Sequence, residues 1–314
     1  MNGTQPSSCY WNPTASKIAL TLVYCLIFLV SLAGNTVIGT IVYKTKTMRK
    51  PINFLIVNMA MSDLLFPGIL IPRNIEMLYT ENAWLIGGPL GQALCKLSFF
   101  LPRVSLIVSI QSLVLIAVDR FGAVVFPFRS PLISSKLCLF FILATWIIAM
   151  AVFSPFVLAV KVVESPEGLV CALRWKEGFG ESSSYDNYVV PEFMISYLIP
   201  LVLIVILYIT IYIKLKSQKS PGEQSDKAGQ QRQQRERSVL KMAVSIVLGF
   251  ALCGLPYFIS RCLLIFVSDI SSCRFQYFAS FAYFMVHVNC AMNPCICLFS
   301  VEIIVWDFRL SLDK

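Results

Sequence analysis

Seven stretches of this chain are each long and apolar enough to cross a lipid bilayer as a helix. They cover residues 18–43, 52–78, 92–126, 137–160, 189–213, 239–267 and 275–299. A helix rises about 1.5 Å per residue, so about 20 apolar residues span the hydrocarbon core. The runs are continuous, not alternating, which excludes the strands of a membrane β-barrel. Of the 314 residues, 57% are hydrophobic and only 14% charged, and the mean hydropathy is +0.73. A soluble domain keeps roughly a quarter of its residues charged to cover its surface. The expected architecture is therefore an all-α membrane protein: a seven-transmembrane helix bundle over 18–299, an N-terminal segment 1–17 and a tail 300–314. No room is left for a separate soluble domain.

Basic residues set the orientation, because loops rich in Lys and Arg stay on the cytoplasmic side. The segment between spans one and two carries Lys44, Lys46, Arg49 and Lys50. That between spans five and six carries Lys214, Lys216, Lys219, Lys227, Arg232, Arg235 and Arg237. Residues 1–17 hold Lys17 alone, and the loop between spans four and five has more acids than bases. The reading is an extracellular N-terminus, a cytoplasmic C-terminus and a multi-pass protein of the plasma membrane. The net charge of +9 is this positive-inside bias, not a footprint for nucleic acid, and basic loops favour contact with the anionic lipid bilayer. The polar stretch before the first span is too long for a cleavable signal peptide, so that span reads as an uncleaved signal-anchor.

Asn2-Gly3-Thr4 is a glycosylation sequon on the outer side, whereas Asn12-Pro13-Thr14 is blocked by its proline. Residues 217–234, rich in Ser, Gln, Gly and Lys, read as a solvated cytoplasmic loop. Four of the eleven cysteines, Cys9, Cys95, Cys171 and Cys273, fall on the oxidising side, where disulfides persist. Four cysteines allow three pairings. The other seven read as small apolar packing residues.

Polar residues inside such spans are expensive and face the bundle interior, so each is a functional candidate. Asp63 lies midway along the second span. A buried carboxylate there needs a cation, a hydrogen-bonding cage or a proton. Ser109, Asn289, Asn293 and Asn35 lie at similar depth and can supply oxygens to a sodium ion; the alternative is a protonated structural Asp. The third span ends in Asp119-Arg120-Phe121, and Glu236 begins the sixth at the same face. A bridge from Arg120 to Glu236 would pin two helices whose parting is a bistable switch; an ordinary interfacial ion pair is the plainer reading. Prolines recur inside the spans at Pro67, Pro72, Pro102, Pro155, Pro200, Pro256 and Pro294, and each removes a backbone donor and tends to kink its helix.

Taken in order, Asn35, the Asn58–Asp63 motif, Cys95, Asp119-Arg120-Phe121, Trp146, Cys171, Pro200, Tyr208, Phe250, Cys253-Gly254-Leu255-Pro256 and Asn293-Pro294 resemble the rhodopsin-like (class A) G protein-coupled receptors. The likeness extends from Gly34-Asn35 to the last helix. Cys95-Lys96-Leu97, residues 108–120 and Phe250-Ala251-Leu252-Cys253 look most like receptors of the neuropeptide Y and tachykinin kind. The resemblance implies a receptor that binds an extracellular peptide and activates heterotrimeric G proteins, with arrestin as a further partner. It implies a Cys95–Cys171 disulfide, with Cys9 and Cys273 left as a second pair. Asp63, Ser109, Asn289 and Asn293 would form an allosteric sodium site, with no other cofactor. Pro200, Ile110 and Phe250 would form the packing trio that rearranges on activation, together with Pro256, Asn293 and Pro294. Arg120, held by Asp119 and Glu236 at rest, would swing toward the G protein and Tyr208. The tail 300–312 would be a short amphipathic helix, anchored by Ile303, Trp306, Phe308 and Leu310. Two positions depart from the pattern. Gly254 and Cys297 stand where the family usually has Trp and Tyr, which relay ligand binding inward. Gly254 also removes bulk from the pocket floor and loosens its helix.

The outer halves of the spans carry Arg73, Glu76, Arg103, Glu192, Tyr257, Arg261, Tyr283 and His287. Arginine there pairs bidentately with a carboxylate and is too costly to bury idle. Either Arg73–Glu76 and Arg103–Glu192 neutralise one another, or the excess of arginine receives an acidic group of a ligand. Pro102-Arg103 occupies the place of the Asp that amine receptors need, which argues against an amine. The alternatives are a small acidic or lipid ligand, or a weakly signalling decoy receptor. A transporter would show internal repeats or paired broken helices, and none is visible. His287 is the only histidine, which leaves a metal- or His-based enzyme little to draw on.

Overall fold

The computed structural model describes residues 13–80, 83–126, 132–166, 168–217, 227–266 and 273–312, with the side chains at 13, 47, 227–239, 242–243, 265–266 and 298–312 outside that description. Long helices dominate: α1 (Pro13–Lys44), α2 (Pro51–Thr80), α3 (Gly88–Val125) and α4 (Ser135–Ala159). A hairpin of β1 (Val160–Ser165) and β2 (Gly168–Leu173) follows, then the short α5 (Trp175–Phe179). The fifth span is α6 (Asp186–Phe193), a π-helical turn at Met194–Leu198, and α7 (Ile199–Ser217). α8 (Lys227–Phe266) and α9 (Cys273–Leu312) complete the bundle.

Among the described residues, six of these spans are long and apolar enough to cross a membrane on those counts alone. The seventh lies in α9, where His287, Asn289, Asn293 and Pro294 interrupt the apolar run, and α9 packs against α1, α2 and α8. Residues 300–312 are helical as expected, but they continue α9 without a break instead of forming a separate helix. Ile303, Trp306, Phe308 and Leu310 have side chains outside the described residues, as does all of Asn2.

Burial runs opposite to that of a soluble protein. Leu22, Leu26 and Leu29 of α1 and Leu139, Phe140 and Leu143 of α4 are exposed, while Asn35, Asp63, Ser109 and Asn293 are almost fully buried. In water such a surface would aggregate; against lipid it is the stable arrangement, with the polar groups paired inside. Pro67, Pro72, Pro102, Pro155 and Pro256 all sit inside unbroken helices.

The loop between spans four and five is ordered by the hairpin, which sequence reading did not foresee. Its strands are antiparallel, with Val162 opposite Cys171, and Gly168 turns the chain at a φ of 123°, a conformation L side chains rarely adopt. Cys171 is disulfide-bonded to Cys95 of α3, 76 residues away, as expected. Gln92 of α3 also grips β1, accepting from Val162 N (2.9 Å) and donating to Val160 O (3.2 Å). The hairpin is thereby tied down over one end of the bundle. Cys273 is disulfide-bonded too; Cys9, its expected partner, lies outside the described residues.

Candidate functional site

Beneath the hairpin, α3, the fifth span and α8 separate around a cavity of about 620 Å³ of empty space, counted out to its mouth. Its polar lining is Arg103 of α3, Glu192 and Ser196 of the fifth span, and Tyr257 and Arg261 of α8, joined by Tyr185. The rest is apolar, including Ile107, Ile110, Phe193 and Phe258.

Among the described residues each arginine donates one side-chain hydrogen bond. Arg103 donates to Phe99 O (2.6 Å) one turn back and lies over the Phe156 ring, 4.3 Å from its centroid. Arg261 donates to Tyr185 Oη (2.8 Å). Burial pushes the Tyr185 phenol up from its ordinary range, against the pull of the two guanidinium groups, Arg261 more than Arg103, so it serves as a neutral acceptor. A guanidinium offers five N–H donors, so most remain available. Among the described residues Glu192 forms no ion pair with either arginine. Of the two alternatives left open by the sequence, Arg103–Glu192 neutralisation is thus not formed, and the cavity holds two cations against one carboxylate.

Other residues grouped with these by sequence lie apart. Arg73 pairs with Glu76 at 2.9 Å and sits over the Trp84 ring at 4.7 Å; it does not line the cavity. His287 is sealed, 0% exposed. Its Nδ1 faces Tyr283 O (2.9 Å) and its Nε2 faces Asn74 Nδ2 (2.7 Å). A carbonyl can only accept, so Nδ1 carries the proton and Nε2 accepts from Asn74. Tyr283 completes the set by donating to Asn74 Oδ1 (3.2 Å). These residues join α2 to α9 and do not line the cavity.

Deeper in the bundle, Asp63 accepts from Ser109 Oγ (2.6 Å) on Oδ1 and from Asn293 Nδ2 (2.8 Å) on Oδ2. Asn35 donates to Cys290 O (3.2 Å), linking α1 to α9. The Oδ1 atoms of Asn35 and Asn289 are buried without a hydrogen-bond partner. Asn58 joins three helices, donating to Ser112 Oγ (2.9 Å) while accepting from Trp146 Nε1 (2.8 Å).

At the far end of α3, Arg120 donates to Asp119 Oδ2 through Nη2 (2.5 Å) and Nε (3.2 Å). Tyr208 lies within electrostatic reach of Arg120. The Glu236 side chain is outside the described residues. Ile110 and Phe250 share one buried cluster, against which Leu201, next to Pro200, packs. Sequence reading missed Tyr185, Phe193, Ser196 and Phe258. Their residue types are those of any packed membrane helix, and only the Arg261–Tyr185 contact across 76 residues reveals Tyr185.

Residues 34–296 match the family model of the seven-transmembrane receptors of the rhodopsin family. The chain is 30% identical over 261 residues to the RYamide receptor of Drosophila melanogaster, an alignment covering 81% of this chain and 54% of that one. It is 31% identical over 304 residues to neuropeptide FF receptor 1 of Homo sapiens, covering 92% and 69%. It is 31% identical over 254 residues to neuropeptide Y receptor type 1 of Xenopus laevis, covering 79% and 67%. The chain thus spans about half the length of the first of these relatives and about two thirds of the other two.

Proposed function

The chain belongs to the rhodopsin family of seven-transmembrane receptors, and from that premise we propose that it binds an extracellular peptide and activates heterotrimeric G proteins. The peptide reading is carried by the cavity under the hairpin, where Arg103 and Arg261 outnumber Glu192 and keep donors free. A carboxylate or other acidic group of the peptide would take those donors, in a low-dielectric site where charge-assisted hydrogen bonds are strong. The relatives bearing neuropeptide names support the same class. The hairpin end then faces outward and the Asp119–Arg120 end faces the cytoplasm at the plasma membrane, as the basic loops favour.

On this reading Arg120, held by Asp119 at rest, is released to engage the G protein, and arrestin recognises the same opened face. The buried oxygens around Asp63 suit a sodium ion. Asp63, Ser109, Asn289 and Asn293 would hold it, and the unpartnered Oδ1 of Asn289 is a donor awaiting such a cation. The ion would supply the positive charge that an ionised Asp63 needs at this depth.

The test is a peptide panel on cells expressing the chain, reading calcium, cyclic AMP and arrestin recruitment together. Against an active peptide, Arg103→Ala and Arg261→Ala should each lower potency about tenfold or more, the loss of one charge-assisted hydrogen bond of about 1.5–3 kcal/mol. Unchanged potency in both refutes the acidic-group contact. Arg120→Ala should abolish G protein activation at preserved surface expression. Silence of the unmutated chain in all three readouts, with confirmed surface expression, would favour a decoy, for which the departures at Gly254 and Cys297 are the motive.

A further inference from the structure

Gly254 lies inside α8, two residues before Pro256, and the space beside it is not empty. A Cβ at this position would stand 2.8 Å from Tyr197 Oη, 2.9 Å from Cε2 and 3.1 Å from Cζ. The tip of the Tyr197 ring therefore occupies a notch in α8 that exists only because residue 254 is glycine. The bulk that glycine removes at this position is thereby supplied from elsewhere: the room is filled from the fifth span.

Tyr197 is held there on every side. It belongs to the π-helical turn at Met194–Leu198, a geometry that often marks functional positions in helices. It is completely buried, and its hydroxyl donates to Ala251 O (3.4 Å), one turn of α8 before Gly254. Its ring lies 4.0 Å from that of Phe258, 5.9 Å from Phe193 and 5.8 Å from Phe250, centroid to centroid.

Those three neighbours differ in what they face. Phe193 and Phe258 line the cavity beneath the hairpin, as does the adjacent Ser196. Phe250 does not line it, and lies with Tyr197 and Phe258 in one buried cluster that continues through Ile204 and Tyr208 toward the Asp119–Arg120 end. Tyr197 is thus in ring contact with both kinds. A group entering the cavity cannot displace Phe258 or Phe193 without pressing on Tyr197, because packed interiors shift between discrete arrangements and do not deform smoothly. Nor can Tyr197 move alone, since its tip is seated in the notch of α8.

We propose that Tyr197, seated against Gly254, is the residue through which filling of the cavity moves α8. The inference rests on the receptor reading of this chain. Tyr197 is a positioning residue: it acts on α8 and need not touch the ligand.

The experiment uses the full-length chain in membranes and in detergent micelles, with no ligand added. It measures basal nucleotide exchange on a G protein per receptor, and the melting temperature. Gly254→Phe should lower the melting temperature by about 5 °C, since two rings then compete for one notch. Tyr197→Ala should change basal exchange at least threefold, and Tyr197→Phe, which keeps the ring, should restore most of that change. The double variant Tyr197→Ala with Gly254→Phe moves the ring from the fifth span to α8. It should recover the greater part of the melting temperature lost by Gly254→Phe alone, a coupling that independent sites lack.

Melting of Gly254→Phe at the unmutated temperature would overturn the notch. Exchange unaltered in Tyr197→Ala, while Arg120→Ala abolishes it, would overturn the relay and leave the receptor reading standing. No exchange from the unmutated chain with any G protein subtype, either basally or across the peptide panel, would overturn the G protein-coupling reading, and the relay with it.

Discussion

Asn58 is the sharpest place to test whether buried polar contacts hold this bundle together. It is 5% exposed, donates to Ser112 Oγ on α3 at 2.9 Å and accepts from Trp146 Nε1 on α4 at 2.8 Å. Asn58→Ala removes both of these cross-helix bonds and a longer third one to Thr145 Oγ1 (3.4 Å), and leaves a small void. Interhelical hydrogen bonds in membrane bundles average about 0.6 kcal/mol and reach about 1.7; the void adds a comparable amount. The expected loss is about 2 kcal/mol, or about 6 °C at roughly 3 °C per kcal/mol. Trp146→Phe removes one N–H and should cost about 1 kcal/mol, or about 3 °C. Because both substitutions break the same Trp146–Asn58 bond, the double variant should fall short of the summed shifts by about 2 °C. Unfolding in detergent can be followed with a thiol-reactive dye, since Cys138, Cys253, Cys290 and Cys297 are free and buried in the fold. A shift below about 1 °C for Asn58→Ala, or strict additivity in the double variant, would refute the reasoning.

Gly34→Ala should destabilise the bundle by about 1–3 kcal/mol, because the new Cβ would sit 2.6 Å from Pro294 Cβ; an unchanged melting temperature would count against that close approach of α1 and α9. His287→Ala should lower the melting temperature yet leave peptide potency within about twofold, since it strands Asn74 and opens a void in a residue that does not line the cavity; a large potency loss with normal stability would reverse that placement. Cys171→Ser cuts the hairpin's covalent tie to α3 and opens a 76-residue loop, costing about 4 kcal/mol, so surface delivery measured by antibody on intact cells should fall sharply. Sodium titration of basal exchange should be flat in Asp63→Asn, whereas a sodium response equal to that of the unmutated chain would exclude the carboxylate as its ligand.

The membrane architecture was legible in the sequence because it depends on a sum over many residues. Seven apolar runs of bilayer length survive any local error, and the Cys95–Cys171 link followed from the family resemblance before any coordinates. The Asp63 neighbourhood was legible for a related reason. A carboxylate in an apolar run has to find polar partners, and four residues lay at its depth; of these the structure joins Ser109 and Asn293 to it and leaves Asn35 and Asn289 off the carboxylate. Charge on an outer helix end carries less information. Arg73, Arg103 and Arg261 read alike, yet one is neutralised by Glu76 and two face the cavity, because rotation about the helix axis decides which side each presents.

What the sequence by itself determined is the number of spans, the polar residues forced inward and the helices that bear them. Only the tertiary structure decided which of those residues share a cavity. His287 and Arg103 both read as polar residues of the outer half of the bundle, but the first is closed off by Asn74 and Tyr283 while the second lines open space. Gly254 shows the same division most plainly. A missing side chain reads as a loss along the sequence, whereas in three dimensions a ring fifty-seven positions earlier, Tyr197, occupies the gap. Close packing fills space from whichever helix lies nearest, and nearness across a bundle is not written in chain order.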